Sequence, residues 1–83
     1  MKKKKLVSIV MGSQSDWKTL INCEIIFKDL EVGYEKKIIS AHRTPDRLYE
    51  FAKNLKTSNI EIVIAGAGGA AHLPGMIASL THL

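Results

Sequence analysis

The sequence predicts an α/β domain built on a parallel sheet. Three observations support this class. Short β-prone runs alternate with helical patterns in the order β-α-β-α-β-α, the first run is almost continuously apolar, and the helical segments carry apolar stripes. A continuous apolar run is typical of a strand that is covered on both faces. With 83 residues, 46% of them hydrophobic, the chain has the size and composition of one small globular domain.

The first predicted strand, residues 6–11, ends in a polar break that starts a helix over residues 17–30. Ser13 and Asp16 in this break have the spacing of a capping box. The apolar residues of the helix form one stripe of Leu20, Cys23, Phe27 and Leu30 beside a second row of Trp17, Ile21 and Ile25. Together they give more apolar surface than one sheet face covers, which indicates contacts between subunits.

The second predicted strand, residues 34–39, has a polar centre, which is typical of a sheet edge. Gly33 before it is expected to stop the first helix. Thr44 and Pro45 predict the start of the second helix, residues 46–55, because a hydroxyl cap precedes a proline that needs no amide hydrogen. The apolar residues of this helix, Leu48, Phe51, Ala52 and Leu55, recur at the spacing of an amphipathic helix.

The third predicted strand, residues 60–65, is apolar and should therefore be central, yet no later strand is predicted to pair with its far edge. A glycine-rich stretch follows, and a third helix is expected from Met76 onwards, with Pro74 near its first turn. The whole of residues 6–83 is predicted to belong to a single α/β domain.

The net charge of +4 comes from a lysine run at the start of the chain. Residues 2–5 supply four of the 12 basic residues, and the remaining eight balance the eight acidic ones. Residues 1–5 are therefore predicted to be a solvated basic tail, and no nucleic-acid partner is expected. No apolar stretch is long enough for a membrane span. Cys23 is the only cysteine, which fits a reducing cytoplasm and a buried structural thiol.

Right-handed crossovers should bring the three strand-to-helix loops, residues 12–16, 40–45 and 66–73, to one edge of the sheet. This is the edge at which α/β sheets bind ligands. Neither the dinucleotide fingerprint nor a phosphate-binding Gly-Lys-Ser/Thr is present in the glycine-rich loop. His42, His72 and His82 lack the spacing of a metal site, so no metal is predicted.

The residues of these loops suit a small phosphorylated ligand. Arg43 can fork onto a phosphate to which Ser13 and Ser40 donate, and His42 can move a proton near neutral pH. Asp16 can accept from sugar hydroxyls, or it can serve only as an anion at a helix start. Two functions follow from this set: acid–base chemistry on a phosphorylated sugar or nucleotide without a bound cofactor, or phosphate binding without chemistry.

Three motifs carry a closer resemblance: VMGSQSD at residues 10–16, SAHRTP at 40–45 and AGAGGAAHLPGM at 65–76. They resemble the bacterial 5-(carboxyamino)imidazole ribonucleotide mutase family, which is also described as the catalytic subunit of phosphoribosylaminoimidazole carboxylase. The family implies a flavodoxin-like three-layer sheet, a cytoplasmic homo-octamer and an isomerase of purine biosynthesis without metal or organic cofactor. Family members are longer, so the resemblance covers the part of their domain up to the third strand and the start of its helix.

The resemblance also implies a role for each matching residue. His42 is the general acid–base, Ser13 and Arg43 hold the phosphate with help from Ser40, and Asp16 holds the ribose hydroxyls. The base and the released carbon dioxide are enclosed by Gly68, His72 and Leu73. The 83-residue chain by itself is expected to be weakly stable and poorly active. The alternatives are an inactive truncated fragment of the enzyme and a non-catalytic, flavodoxin-like module that binds a nucleotide or phosphate.

Overall fold

The computed structural model describes residues 4–69 and 71–83. The first three residues of the predicted basic tail and Ala70 of the glycine-rich loop lie outside the described residues. The strands are β1 (Val7–Met11), β2 (Tyr34–Ile38) and β3 (Ile62–Gly66). The helices are α1 (Trp17–Asp29), α2 (Pro45–Asn54) and α3 (His72–Ala78), with 3-10 turns at Gln14–Asp16 and Leu55–Thr57.

The three strands form a parallel sheet in the order β2-β1-β3. In the register of the sheet, Val7 of β1 lies opposite Tyr34 of β2 and Ile62 of β3. The parallel α/β class is therefore confirmed, and this order, with helices on both faces, is that of a flavodoxin-like fold. Every residue of β1 is buried, as its continuous apolar run predicts.

The two outer strands differ in how well the sequence placed them. The polar strand β2 lies at an edge of the sheet, as predicted. The apolar strand β3 has the composition of a central strand but lies at the other edge of the three-stranded sheet, with its far side unpaired as expected. Among the described residues no strand pairs with the outer side of β3, so its side chains are only partly covered and Ile62 is 56% exposed.

Each face of the sheet has its own hydrophobic core. On one face, β1 contributes Val7, Ile9 and Met11, which pack with Leu20 of α1 and the partly buried Trp17, Cys23 and Phe27. On the other face, Val10 packs with residues of α2 and α3, including Leu48 and Ile77. Helices thus cover both faces, which gives the three layers. Cys23 is partly rather than fully buried.

The outer face of α1 is apolar and exposed. Ile25 and Ile26 are 59% and 56% exposed, and Leu30, predicted to lie on the buried stripe, is 64% exposed. Leu30 misses the core because α1 ends at Asp29, so Leu30 is the C-cap rather than part of the last turn. The second apolar row predicted from sequence, formed by Trp17, Ile21 and Ile25, is therefore only partly buried within the chain.

Two helix boundaries differ from the sequence predictions. The chain leaves α1 through Glu31, which has a positive φ, so Gly33 is not the residue that stops the helix. A Cβ at position 33 would overlap the carbonyl oxygen of Lys4, so glycine is needed there for close backbone approach. Helix α3 starts at His72 rather than at Met76, because proline is tolerated in a first helical turn and Pro74 lies there.

None of the helices in residues 4–69 and 71–83 combines the length and the apolar character that crossing a bilayer requires.

A hydrogen-bonded cluster ties α1 to the edge strand β2. The Tyr34 hydroxyl donates to Glu24 Oε1 at 2.6 Å, and Lys36 Nζ donates to the same oxygen at 3.1 Å. The hydrogen bond to Glu24 raises the pKa of Tyr34 to about 12. The hydrogen bonds from Tyr34 and then from Lys36 hold the pKa of Glu24 below its usual value.

We expect the Tyr34–Glu24 hydrogen bond to stabilise the fold, and we expect this stabilisation to be lost both at high pH and at low pH. Because the native pKa of Tyr34 is raised from 10.0 to about 12, its contribution is complete below pH 10.0 and is lost as the pH rises through about 12. Glu24 has the opposite sign: its contribution is present above pH 4.5 and is lost as the pH falls through the lowered native pKa. Urea unfolding at several pH values checks both windows.

Tyr34→Phe removes this phenol and is the variant to compare with the wild type. The difference in unfolding free energy between them should be constant at neutral pH and should narrow above pH 10.0. Tyr49→Phe, at the exposed surface of α2, is the matched control, and its difference from the wild type should not narrow. A Tyr34→Phe difference that stays constant up to pH 12 would contradict the prediction.

Candidate functional site

The three strand-to-helix loops meet at the carboxyl ends of the strands, as predicted. They enclose a cavity of about 440 Å³ that each loop helps to line. The lining residues are Gly12, Ser13, Ser15, Asp16, Ser40, Ala41, His42, Ala67, Gly68, Gly69, Ala71, His72 and Leu73. Of the residues singled out from sequence, all except Arg43 line this cavity.

The first loop fixes Asp16 at the cavity. The Ser13 amide donates to Asp16 Oδ2 at 3.1 Å, as the capping-box spacing predicts. The other carboxylate oxygen, Oδ1, lies 3.4 Å from where a Cβ at Gly68 would be, so a glycine at 68 leaves the space beside this oxygen open. Asp16 therefore serves the helix start with one oxygen and keeps the other available to a ligand.

The central loop is closed by Thr44. Its backbone amide and its hydroxyl both donate to the Ser40 carbonyl at 2.9 Å, and its hydroxyl accepts from the Ser40 amide at 3.2 Å. Thr44 is the N-cap and Pro45 follows at N1, as predicted, but the hydroxyl does not cap the helix amides. It bonds back to Ser40 instead, which holds His42 and Arg43 at the tip of a tight loop.

Ser40 also holds Arg43. The Ser40 hydroxyl oxygen accepts from both the backbone amide and Nε of Arg43, each at 3.1 Å. Arg43 is exposed and does not line the cavity, although Ser40 does. Its terminal guanidinium nitrogens make no hydrogen bond or ion pair with the rest of the described chain, so they are available to an anion.

His42 and His72 are in direct contact across the cavity. His42 Nε2 lies 2.8 Å from His72 Nδ1, and the two rings meet edge to face at 68° with centroids 5.0 Å apart. Both residues were expected at the crevice from the sequence, but their contact was not, because they are 30 positions apart. The available signal was that each histidine follows a parallel strand, β2 or β3, whose carboxyl end lies at the same edge of the sheet.

The other two residues predicted from the glycine-rich loop, Gly68 and Leu73, differ in their exposure. Gly68 is exposed, whereas Leu73 is only 2% exposed and packs in the core beneath the cavity. Leu73 therefore supplies an apolar floor.

Across residues 4–69 and 71–83, no group of three or more His, Cys, Asp and Glu side chains could hold a metal ion. His82 does not line the cavity.

A larger cavity, of about 690 Å³, opens beside the edge strand β2. Two lysines in its lining lie over aromatic rings: Lys36 Nζ is 4.6 Å from the Trp17 centroid, and Lys37 Nζ is 5.5 Å from the Phe51 centroid. Its lining has neither a histidine nor a hydroxyl side chain. The histidines and hydroxyl side chains therefore lie around the smaller cavity, whereas the larger one is lined by the cations Lys36, Lys37 and Arg47.

A parallel α/β domain with acid–base, hydroxyl and carboxylate groups at the carboxyl edge of its sheet belongs to the class that binds small molecules there. Within that class, the family model described as AIR carboxylase matches residues 6–83. The chain belongs to this family.

Several curated proteins are similar to the chain. It is 56% identical over 77 residues to the N5-carboxyaminoimidazole ribonucleotide mutase of Thermotoga maritima, covering 93% of this chain and 45% of that protein. It is 55% identical over 78 residues to the mutase of the same name from Bacillus subtilis, covering 94% of this chain and 48% of that protein. The chain thus spans about half the length of these relatives.

The chain is also 60% identical over 78 residues to the bifunctional purine synthesis protein purC/E of Dictyostelium discoideum. That match covers 94% of this chain and 8% of the longer protein.

Proposed function

We propose that the chain acts on 5-(carboxyamino)imidazole ribonucleotide in purine biosynthesis. The carboxylate moves from the exocyclic nitrogen to the ring carbon, which gives carboxyaminoimidazole ribonucleotide. The observation that carries the proposal is the meeting of His42, Asp16 and Ser13 around one cavity at the carboxyl edge of the sheet. The names of the bacterial relatives supply the substrate that this cavity alone does not identify.

In the proposed reaction His42 donates one proton to the substrate and later takes one proton from it. As the carbamate C–N bond breaks and carbon dioxide leaves, His42 protonates the exocyclic nitrogen. Carbon dioxide then adds to the ring carbon, and His42 takes the proton that this carbon carried. His42 gives up one proton and takes up one proton, so the reaction needs no other proton carrier and the proposal assigns no cofactor.

The remaining residues are proposed to bind the nucleotide. Ser13 and Arg43 would hold the phosphate, and Ser40 would help by keeping Arg43 Nε in place while the terminal nitrogens stay free. Asp16 would accept from the ribose hydroxyls through the oxygen beside Gly68. Together with Gly68 and His72, the apolar floor formed by Leu73 would enclose the base and the released carbon dioxide.

The working form is proposed to be a cytoplasmic homo-oligomer, an octamer by resemblance to the family. The exposed apolar surface on the outer face of α1, around Ile25 and Ile26, supports this proposal, because an apolar patch of this kind is typical of a protein interface. The presence of a single cysteine fits a reducing compartment.

The proposal is tested by supplying substrate labelled with ¹³C in its carboxylate and following the label by NMR. Transfer of the label from nitrogen to carbon is expected. Asp16→Asn should raise KM about tenfold or more, because a charged hydrogen bond contributes about 1.5–3 kcal/mol. The Asn oxygen can still accept from the Ser13 amide, so the helix start should survive.

Asp29→Asn, at the end of α1, is the matched control and should leave KM unchanged. Binding of the nucleotide without movement of the label would favour a phosphate-binding module and would contradict the proposed reaction.

A further inference from the structure

Thr44 makes three hydrogen bonds to the backbone of a single residue, Ser40. Its amide and its hydroxyl both donate to the Ser40 carbonyl at 2.9 Å, and its hydroxyl oxygen accepts from the Ser40 amide at 3.2 Å. The hydroxyl therefore takes part in two of the three bonds, once as a donor and once as an acceptor. We refer to these three bonds as the Thr44 clamp.

The body of the domain anchors the loop on both sides of its tip. The Leu48 amide donates to the Thr44 carbonyl at 3.2 Å, which ties Thr44 to the first turn of α2. On the other side, Ala41 is 8% exposed and belongs to the same hydrophobic core as Leu48. His42 and Arg43 thus lie between a buried methyl group and the clamp, and both are exposed.

The clamp reaches Arg43 through the Ser40 side chain. The Ser40 hydroxyl oxygen accepts from the Arg43 amide and from Arg43 Nε, each at 3.1 Å. These two bonds use both lone pairs of the oxygen, so towards a ligand the Ser40 hydroxyl can act only as a donor. The position of Arg43 Nε therefore depends on Ser40, and the backbone of Ser40 depends on the Thr44 hydroxyl.

We propose that Thr44 is a positioning residue whose hydroxyl orders Arg43 and His42 before the nucleotide binds. Without this hydroxyl the Ser40 amide loses its partner, and the Ser40 carbonyl keeps only the bond from the Thr44 amide. Arg43 then has to be ordered during binding, and His42 is held less firmly against the reacting atoms. Thr44 lies outside the lining of the cavity, so it acts through its neighbours. The proposal rests on the proposed function for its substrate.

The first test needs no substrate and uses the two arginines of the chain, Arg43 and Arg47. Within residues 4–69 and 71–83, Arg47 makes no hydrogen bond or ion pair, so its Nε proton is an internal reference. A hydrogen-bonded N–H exchanges with water more slowly than a free one. In the ¹⁵N-labelled wild type we expect the Nε proton of Arg43 to exchange several-fold more slowly than that of Arg47.

Thr44→Val keeps the branched side chain but removes the hydroxyl, and it should bring the exchange of Arg43 towards the rate of Arg47. Thr44→Ser retains the hydroxyl and should keep Arg43 protected. Thr57→Val is the matched control and should change neither rate. The Thr57 hydroxyl also donates to a backbone carbonyl, that of Asn54 at 3.3 Å, but in the 3-10 turn that follows α2.

Equal exchange at the two arginines of the wild type would overturn the proposal, and so would a Thr44→Val chain in which Arg43 stays protected. If Thr44→Val does not fold, Thr44→Ala makes the same deletion with a smaller side chain and is interpreted in the same way. The wild-type comparison decides in either case whether Arg43 is held.

The second test asks whether the clamp serves the reaction. Thr44→Val should raise KM about three- to tenfold, the usual cost of ordering one long side chain on binding. It should also lower kcat about tenfold, because displacing a catalytic group by about 1 Å can cost up to a hundredfold in rate. Thr44→Ser should restore both constants to within about threefold of the wild type, and Thr57→Val should leave both unchanged.

A Thr44→Val chain with a released Arg43 but with the KM and kcat of the wild type would overturn the positioning role. An inactive wild-type chain would contradict the proposed function instead, and the exchange rates would still decide whether Thr44 holds Arg43.

Discussion

His42→Asn is expected to lower kcat by about 10²–10⁴-fold, the usual contribution of a positioned acid–base group. The amide that replaces the imidazole can neither protonate the exocyclic nitrogen nor remove the ring proton. Its shorter side chain also gives up the 2.8 Å contact with His72. The groups proposed to bind phosphate and ribose, on Ser13, Asp16 and Arg43, remain, so the dissociation constant of the nucleotide should change by only a few-fold.

The measurement is a pair of experiments on the same variant, steady-state kinetics and calorimetric titration with the nucleotide. His82→Asn makes the same substitution at a histidine outside the cavity and should leave both quantities unchanged. If His42→Asn retained activity, the acid–base role of His42 would be wrong. If it lost activity and nucleotide binding together, His42 would be a binding residue rather than a proton carrier.

Leu48→Ala is expected to remove a large part of the stability of the chain. Leu48 is 0% exposed and packs in the core between α2, α3 and the sheet. Removing a buried leucine side chain costs about 2–5 kcal/mol, because the cavity that remains collapses only partly. A domain of this length has a total stability of about 4–12 kcal/mol, so the variant should lose about a sixth of it or more.

The wild-type chain itself is expected near the lower end of that range. The outer side of β3 has no pairing strand among the described residues, and Ile62 on this strand is 56% exposed. An uncovered apolar strand edge lowers solubility and favours association. Urea titration of the 83-residue chain should therefore show a weak transition, together with a tendency to aggregate.

The same titration compares the variants. Tyr49→Ala is the matched control, since Tyr49 is the next residue of α2 and is 55% exposed, and it should cost much less than Leu48→Ala. A Leu48→Ala loss below about 1 kcal/mol would mean that this core is not closely packed. A strongly cooperative transition from a monodisperse, active wild type would contradict the expected weakness.

The sequence by itself determined the order of the elements, the edge position of β2, the buried centre of β1 and the meeting of three loops at one crevice. These features follow from information that is local along the chain. Apolar periodicity distinguishes a helix from a strand, the polar centre of β2 is incompatible with burial, and the handedness of crossovers sends parallel loops to the same edge. The candidate residues of the crevice could be named for the same reason.

Only the tertiary structure decided which groups bond to each other. The hydroxyl of Thr44 was predicted to cap a helix, but the carbonyl of Ser40 lies closer to it once the loop closes. Gly33 is needed because the backbone of Lys4 passes against it, and β3 lies at an edge because no described strand covers it. His42 and His72 pair because the loops after the two outer strands, β2 and β3, meet at the carboxyl edge of the sheet. The Thr44 bond joins residues four positions apart and depends on how the loop closes. The other outcomes depend on distances between atoms far apart in sequence, which no local pattern contains.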